Sequence, residues 1–416
     1  MIYSEVKYQP ERSKTYLGSP SLIRLPDGVL IAAHDYFGGA GSIKNMQGKG
    51  GCLSSVYRSE DNGQTWENIT HMLNASQGTF FVHKGELYYL GMTFGCGDLM
   101  IRKSSDGGFT WTVPMDEHTG LILKAGEGVS NPNYHNPGNR VLFHNGRIWN
   151  ALEELYYDGV DKQVWQAPNF RAFVISAAMD DNLLEASSWI SSNRVKFEAD
   201  KFPERIKAIL MGHDTWSRGS GWLEGNVVVS PDGRMHNLIR VHFTEPNKAM
   251  LLDLSDDGKT LTCDYDKAVI DFVGGWGRFC VQRDPVTKVY FTLTNYIATG
   301  DVPTSRNTLD LAASEDLVHW YNLGTILRDE SGLNPDMSIQ LTGFQYADWE
   351  FDGDDIIYLS RTAYRGANSF HNSNRITYHV LKNFRKYWEN RPAEPIRSEA
   401  VAGGDKKFMK DIAGVF

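Results

Sequence analysis

Cysteine is scarce. Cys52, Cys96, Cys263 and Cys280 are the four in 416 residues, and no C-x-x-C spacing occurs. That argues against a disulfide-stapled scaffold and a thiolate metal site, so the four read as free thiols or buried fillers. No apolar run reaches the roughly 18 residues of a membrane-spanning helix. The histidines form no H-E-x-x-H or similar dense pattern, which leaves no zinc signature. Positive charge is in deficit: 42 Lys and Arg face 51 Asp and Glu, a formal net charge of −9. Without a basic stripe, nucleic acid is excluded as a partner. An acidic small substrate held by local arginines is not. The opening segment MIYSEVKYQPERSK has neither the basic start nor the apolar stretch of a signal peptide. A cytoplasmic address is the expectation for the sequence as it stands, and a periplasmic or secreted one if a leader has been removed.

What the chain has in excess is aromatic residues, 12% of the total with 11 Trp and 19 Tyr. That suits β-structure or sugar-binding faces. Two octads match S-x-D-x-G-x-T-W, running from Ser59 to Trp66 and from Ser104 to Trp111. The Asp carboxylate can accept backbone N–H groups of its own turn, and the Gly takes a φ that other residues resist. Degenerate copies follow at Ser255–Gly258 and Ser314–Trp320. Between them the pattern is strand, tight turn, strand, as in SLIRL-PDG-VLIAA and TFFVH-KGE-LYYLGM. Six such hairpins recur about every 60 residues, each followed by a third strand such as SSVYRS or LMIRKS. Radially repeated four-stranded antiparallel sheets make an all-β propeller, here a single domain over residues 1–416. Six blades are counted, and a degenerate seventh is left open. Residues 2–8 are expected to close the last blade, residues 388–416 to form a C-terminal extension, and Lys201–Leu210 to form one helix between blades.

In a propeller, the loop before each inner strand and the loop leaving the second strand reach one face. Candidate catalytic residues at such places are His34, His135, His213 and Tyr364. Candidate substrate-binding residues are Asn136, Arg171, Glu224, Arg361, Arg365 and His371. Arg240, His242 and Arg278 stand at the same ends, and Arg306 in a further loop. His34 stands out because Asp35 and a glycine-rich excursion follow a strand that only needed to pack. Arg361, Tyr364, Arg365 and His371 share the polar loop RTAYRGANSFHNSNR, longer than a hairpin requires. Glu153 and Glu154 read as a solvated strand end, and His83 and His144 at hairpin tips as inert.

The octads resemble the Asp-boxes, or BNR repeats, of sialidase-like propellers. Sialidases carry, ahead of the first strand, one of three arginines that grip the substrate carboxylate. Here that stretch reads Tyr16-Leu17-Gly18-Ser19-Pro20, with Gly18 at the arginine position. The stretches SPSLIRLPDGVLIAAHDYFG, YHNPGNRVLF, WLEGN and RTAYRGANSFHNSNRITYH instead resemble another propeller family. Its members act on L-rhamnose-α-1,4-D-glucuronate ends of arabinogalactan side chains, as lyases or as α-L-rhamnosidases. They are generally seven-bladed, one more than counted here. The resemblance implies an enzyme, a carbohydrate substrate with an acidic sugar, and a catalytic role for His34. A uronate bonded at C4 can be cleaved by β-elimination, with histidine moving protons near its ordinary pKa of about 6.5. His34 and His135 would be acid and base, Arg171 and Arg361 the carboxylate clamp. Paired carboxylates, which an ordinary glycosidase needs, look scarce, and that tilts the reading toward elimination. The alternatives are an exo-acting hydrolase of an acidic glycan and a non-catalytic glycan-binding propeller. No cofactor is expected with certainty; a Ca²⁺ replacing part of the clamp is open, although no ligand motif points to it.

Overall fold

The computed structural model describes residues 3–38, 43–44, 50–126, 131–156, 166–212, 219–298 and 302–397. Six antiparallel sheets of four-strand depth follow one another around a ring. The first blade orders Tyr16–Arg24, Leu30–Phe37, Leu53–Ser59 and Glu67–Leu73 from the inside outward. The sixth orders Gly343–Asp352, Asp355–Ala363 and Arg375–Leu381, and its outer strand is Ser4–Tyr8 from the other end of the chain. Ser4–Tyr8 pairs antiparallel with Arg375–Leu381 and so ties the ring shut. Among the described residues there are six blades and no seventh. In the third blade the inner strand is broken, with Asn133–His135 and Leu142–His144 both pairing with Arg147–Leu155.

Two short helices, Pro335–Leu341 and Arg385–Glu389, were not anticipated. Asn334 caps the first by accepting from Met337 N at 2.9 Å, and Pro335 stands at its start. The expected helix over Lys201–Leu210 is confined to Glu204–Lys207, preceded by a 3₁₀ turn at Ala199–Lys201. Pro203 marks its start, since a proline removes a donor that only a helix N-terminus can spare.

The octads close hairpins at the rim. Ser59 Oγ accepts from Gly63 N at 2.9 Å, Asp61 accepts from Thr65 N at 2.9 Å, and Trp66 Nε1 donates back to the Gly63 carbonyl at 3.2 Å. Ser104, Asp106, Gly108 and Trp111 repeat this pattern. Cores lie between blades: Ile31, Val56, Phe80, Tyr89 and Met100 join the first to the second, and Leu22, Tyr57, Leu359 and Tyr378 join the first to the sixth. Arg140 pins the ring across its axis. From the third blade it reaches Glu350 at 2.5 Å and Asp348 at 3.2 Å in the sixth, and the Leu22 carbonyl in the first. No described helix is long and apolar enough to cross a membrane.

Candidate active site

Four inner strands break their alternation near their start. The register slips between Leu17 and Pro20, Ser76 and Thr79, Leu223 and Asn226, and Gln345 and Asp348. A bulge of this kind re-aims a side chain off the pleat. In the fourth blade, on strand Trp222–Val229, it carries Glu224 at φ 65°, and in the sixth Tyr346 at φ 53°. The two meet: the Tyr346 hydroxyl donates to Glu224 Oε1 at 2.8 Å. Arg240, on the next strand Met235–Val241, donates to Glu224 Oε2 at 2.5 Å. Its Nη2 also reaches His242 Nε2 at 2.9 Å. Burial, then Arg240, keeps His242 well below the ordinary histidine range, which suits a neutral acceptor. Burial alone would raise the Glu224 carboxyl; Arg240 and then His135 outweigh it and hold the group below the usual carboxylate value. Burial and then the charge of Glu224 push the Tyr346 phenol upward. The resting pair is a carboxylate and an intact phenol.

Three more guanidiniums surround Tyr346, and each is buried. Arg278 donates to the Tyr346 and Ala347 carbonyls at 3.1 and 3.2 Å. Arg306 donates to the Trp276 carbonyl at 2.9 Å and to Asn295 Oδ1 at 3.4 Å. Arg361 donates to Ser373 Oγ at 3.0 Å and the His371 carbonyl at 2.7 Å, and lies 5.0 Å from the Tyr346 ring centre. Among the described residues these three bond only neutral groups. Burial and then Arg240 depress Arg306 to about 9. Burial lowers Arg361 as well, and burial followed by Arg361 drives His371 to about 3. Asp35 and Glu224 act on Arg361 through space, and Glu224 on Arg306, but no carboxylate bonds either guanidinium. Buried cations without a bonded counter-charge are costly, so the arrangement suits an anion arriving from outside.

On the fourth blade's other side, His135 Nδ1 bonds Glu153 Oε2 at 2.8 Å. Glu153 Oε1 accepts from Gly225 N at 3.1 Å, directly after Glu224. Glu153 is 0% exposed, which corrects its reading as a solvated strand end. The register sets it opposite His135 and so inside the blade. Glu153 and Glu224 are two buried carboxylates linked through the Gly225 amide. In the first blade, Asp35 accepts from Ser19 N at 2.6 Å and Gln77 N at 3.0 Å. Burial raises it to about 6 against those two donors. A Cβ on Gly18 would lie 1.7 Å from Asp35 Oδ1. Asp35 therefore fills the space that any side chain at Gly18 would need.

Of the residues expected from sequence, Glu224, His135, Arg361 and His371 come together here. His34 has other company. It is buried, its ring held between the Asp35 carbonyl at 3.0 Å and the Tyr57 hydroxyl at 3.1 Å, edge-on to Tyr36. Burial lowers it to about 4. Asn136 shapes a turn, accepting from Gly138 N at 3.0 Å and donating to the Leu90 carbonyl at 3.3 Å. Arg171 lies over Tyr156 at 3.5 Å. Tyr364 is buried against Phe344, and exposed Arg365 lies over Tyr364. His213 falls outside the described residues. The sequence reading passed over Tyr346. A signal exists in the recurrent x-Gly step near the start of the inner strands, Gln77-Gly78 and Glu224-Gly225, whose place Tyr346-Ala347 takes in the sixth blade. Among the described residues no three His, Cys, Asp or Glu side chains group to hold a metal ion. A donor set dominated by guanidiniums does not fit a hard cation such as Ca²⁺.

No family model matches the chain, and no curated protein matches it. Solved propellers do. An α-L-arabinanase of Penicillium chrysogenum complexed with arabinobiose superposes with a TM-score of 0.55 at 13% identity, over 92% of this chain and 98% of that one. A Hadza microbial sialidase gives 0.55 at 15%, over 92% and 68%. An α-L-arabinofuranosidase of Fusarium graminearum with arabinobiose gives 0.54 at 11%, over 92% and 98%. At such identities the likeness establishes the fold.

Proposed function

We propose that this chain is a carbohydrate-active enzyme that cleaves the terminal linkage of a glycan beside a sugar carboxylate, by hydrolysis through Tyr346. The observation that carries the reading is the Tyr346–Glu224 hydrogen bond of 2.8 Å set among buried guanidiniums that lack carboxylate partners. Arg306 and Arg361, with Arg240 behind Glu224, would hold the sugar carboxylate, for which the planar fork of arginine is suited. An anionic nucleophile would be repelled by that carboxylate. A neutral phenol with a carboxylate ready to take its proton avoids the repulsion, and tyrosine is the nucleophile sialidases use. The solved propellers of similar fold include a sialidase and two arabinan-related hydrolases, and the reading agrees with that company.

The elimination expected from the rhamnose–glucuronate resemblance is the second reading. It draws on the same guanidiniums to neutralise the enolate, with Tyr346 or His135 moving the C5 proton. Glu224 weighs toward hydrolysis, because a carboxylate at the reacting centre opposes a developing enolate. The test offers rhamnosyl-glucuronate oligosaccharide and 4-nitrophenyl glycosides of glucuronic and sialic acid. Released sugar or nitrophenolate without the ultraviolet band of an unsaturated uronate supports hydrolysis. Growth of that band supports elimination. Tyr346→Phe and Glu224→Gln should each lower turnover at least a hundredfold. Tight binding with no turnover would leave a glycan-binding propeller.

A further inference from the structure

We infer that His135 is the proton donor to the leaving oxygen, with Glu153 as its positioning residue. The inference rests on the reading of Tyr346 as nucleophile and adds the group that reading lacks. Attack by Tyr346 frees an alkoxide unless an acid meets it, and Glu224 is occupied with the phenol's proton. The Asp35 carboxyl is held by the Ser19 amide of the first blade and the Gln77 amide of the second. His34 is closed in by Tyr57 and the Asp35 carbonyl.

His135 is differently placed. Its Nδ1 is fixed on Glu153 at 2.8 Å, and its Nε2 bonds no described residue. Phe170 stands edge-on to the ring at 5.4 Å and limits its rotation. Both oxygens of Glu153 are spent on positioning, one on His135 and one on Gly225 N. The second bond ties the imidazole to the backbone of the bulge that carries Glu224. A carboxylate on Nδ1 orients a histidine and supports the positive charge of its acid form, as in other acid–base dyads.

The steps balance. The Tyr346 oxygen bonds the anomeric carbon, and its proton passes to Glu224. The glycosidic C–O bond breaks, and the leaving oxygen takes the Nε2 proton of the His135 imidazolium. Water then attacks the anomeric carbon and gives a proton to the neutral Nε2. The Tyr346–carbon bond breaks, and the phenolate recovers its proton from Glu224. One water is consumed and the protein returns to its starting state.

The experiment compares the methyl and 4-nitrophenyl glycosides of whichever sugar acid the parent protein cleaves. Nitrophenolate leaves without an acid; methoxide does not. In His135→Asn, where the amide can still donate to Glu153, kcat/KM for the methyl glycoside should fall about a thousandfold, within the usual range for a general acid. For the nitrophenyl glycoside the fall should be at least a hundredfold smaller. The variant should also release a burst of nitrophenolate stoichiometric with enzyme, because water attack loses its base. Glu153→Gln should shift both substrates the same way to a lesser degree. Equal losses on the two glycosides, in variants whose melting temperature matches the parent, would overturn the role of His135 and leave the Tyr346 reading standing. A parent that cleaves neither glycoside of any sugar acid would remove that reading and this inference with it.

Discussion

Asp35→Asn isolates one buried proton. The Asp35 carboxyl sits near 6 in the folded protein, raised by burial, against an ordinary value of 3.8. The folded state therefore keeps a proton that the unfolded chain releases between those values. The associated stability is fully present below pH 4 and is lost as pH rises through 6. A shift of about 2 units corresponds to about 3 kcal/mol. His34 works in the opposite direction. Lowered by burial to about 4 from 6.5, it contributes stability above pH 6.5 that is lost as pH falls through 4. His371 and His242, also lowered by burial, add to the slope of His34, so the parent's own pH profile conceals the contribution of Asp35. The difference between parent and Asp35→Asn does not, because these histidines are common to each. Asparagine keeps the shape and can still accept from Ser19 N. Chemical denaturation of both proteins at pH 4, 5, 6 and 7 should show the parent's relative stability falling by about 3 kcal/mol across the series. A constant difference would mean that Asp35 is ionised throughout and that the guanidinium of Arg361 and the two amides outweigh its burial.

Gly277→Ala would place a Cβ 2.3 Å from Arg306 Nη1, and the flexible guanidinium is what must yield. KM for the sugar acid should rise at least tenfold, about 1.4 kcal/mol of binding, with the melting temperature almost unchanged. Arg140→Met leaves Asp348, 0% exposed, without its cation at the ring axis. It should cost about 3–5 kcal/mol by denaturation, with part recovered in the triple variant Arg140→Met/Asp348→Asn/Glu350→Gln. Gln77 stands at φ 47° with an unpartnered buried Oε1. Gln77→Gly should therefore be about 1 kcal/mol more stable than Gln77→Ala, the reverse of the usual order.

The blades were legible because each hairpin tip spells its own turn. Pro26-Asp27-Gly28 and Asn145-Gly146 fix a chain reversal within a few residues, with Gly28 at φ 93° and Gly146 at φ 68°. The octads were legible for the same reason, since Asp61 and Asp106 bond amides of their own turn. The site was legible only in part. That His135, Glu224, Arg361 and His371 stand at strand ends follows from strand counting. That Glu224 meets Tyr346, 122 residues away, depends on ring closure, which no local spacing records. Glu153 was misread because its neighbour Glu154 is the member of the pair that faces outward, bonded to Arg194 at 3.1 Å. Alternation assigns one of two adjacent acids to each face, but which one depends on the register with His135. The helix at Pro335–Leu341 could have been read: Asn334-Pro335 is a cap followed by a proline at the first helical position.

The bulges link these observations. Blade strands pack as regular pleats, and a regular pleat sends alternate side chains into the neighbouring blades, where bulky apolar groups fill the space. Chemistry requires a charged side chain at the mouth, off that alternation. One extra residue in four of the six inner strands provides it, at the cost of left-handed backbone that L-residues resist by about 1–2 kcal/mol each. Glycine would remove the cost and the reactive group together. Gln77, Glu224 and Tyr346 all keep a side chain at positive φ. Two of the three then pair with each other across the ring, while the backbone N–H of the first holds Asp35. The strain falls where bulged strands turn side chains toward the mouth, and at Pro20, which pairs with His34, no such inward side chain is available because Gly18 leaves its space to Asp35. The first blade thus presents the Asp35 carboxyl, and the cationic side of the mouth is built from Arg240, Arg306 and Arg361 in the fourth, fifth and sixth blades. The carboxylate of the proposed ligand would lie against that half of the ring, and the His135 imidazole, positioned by Glu153 on the third blade, would meet the leaving oxygen.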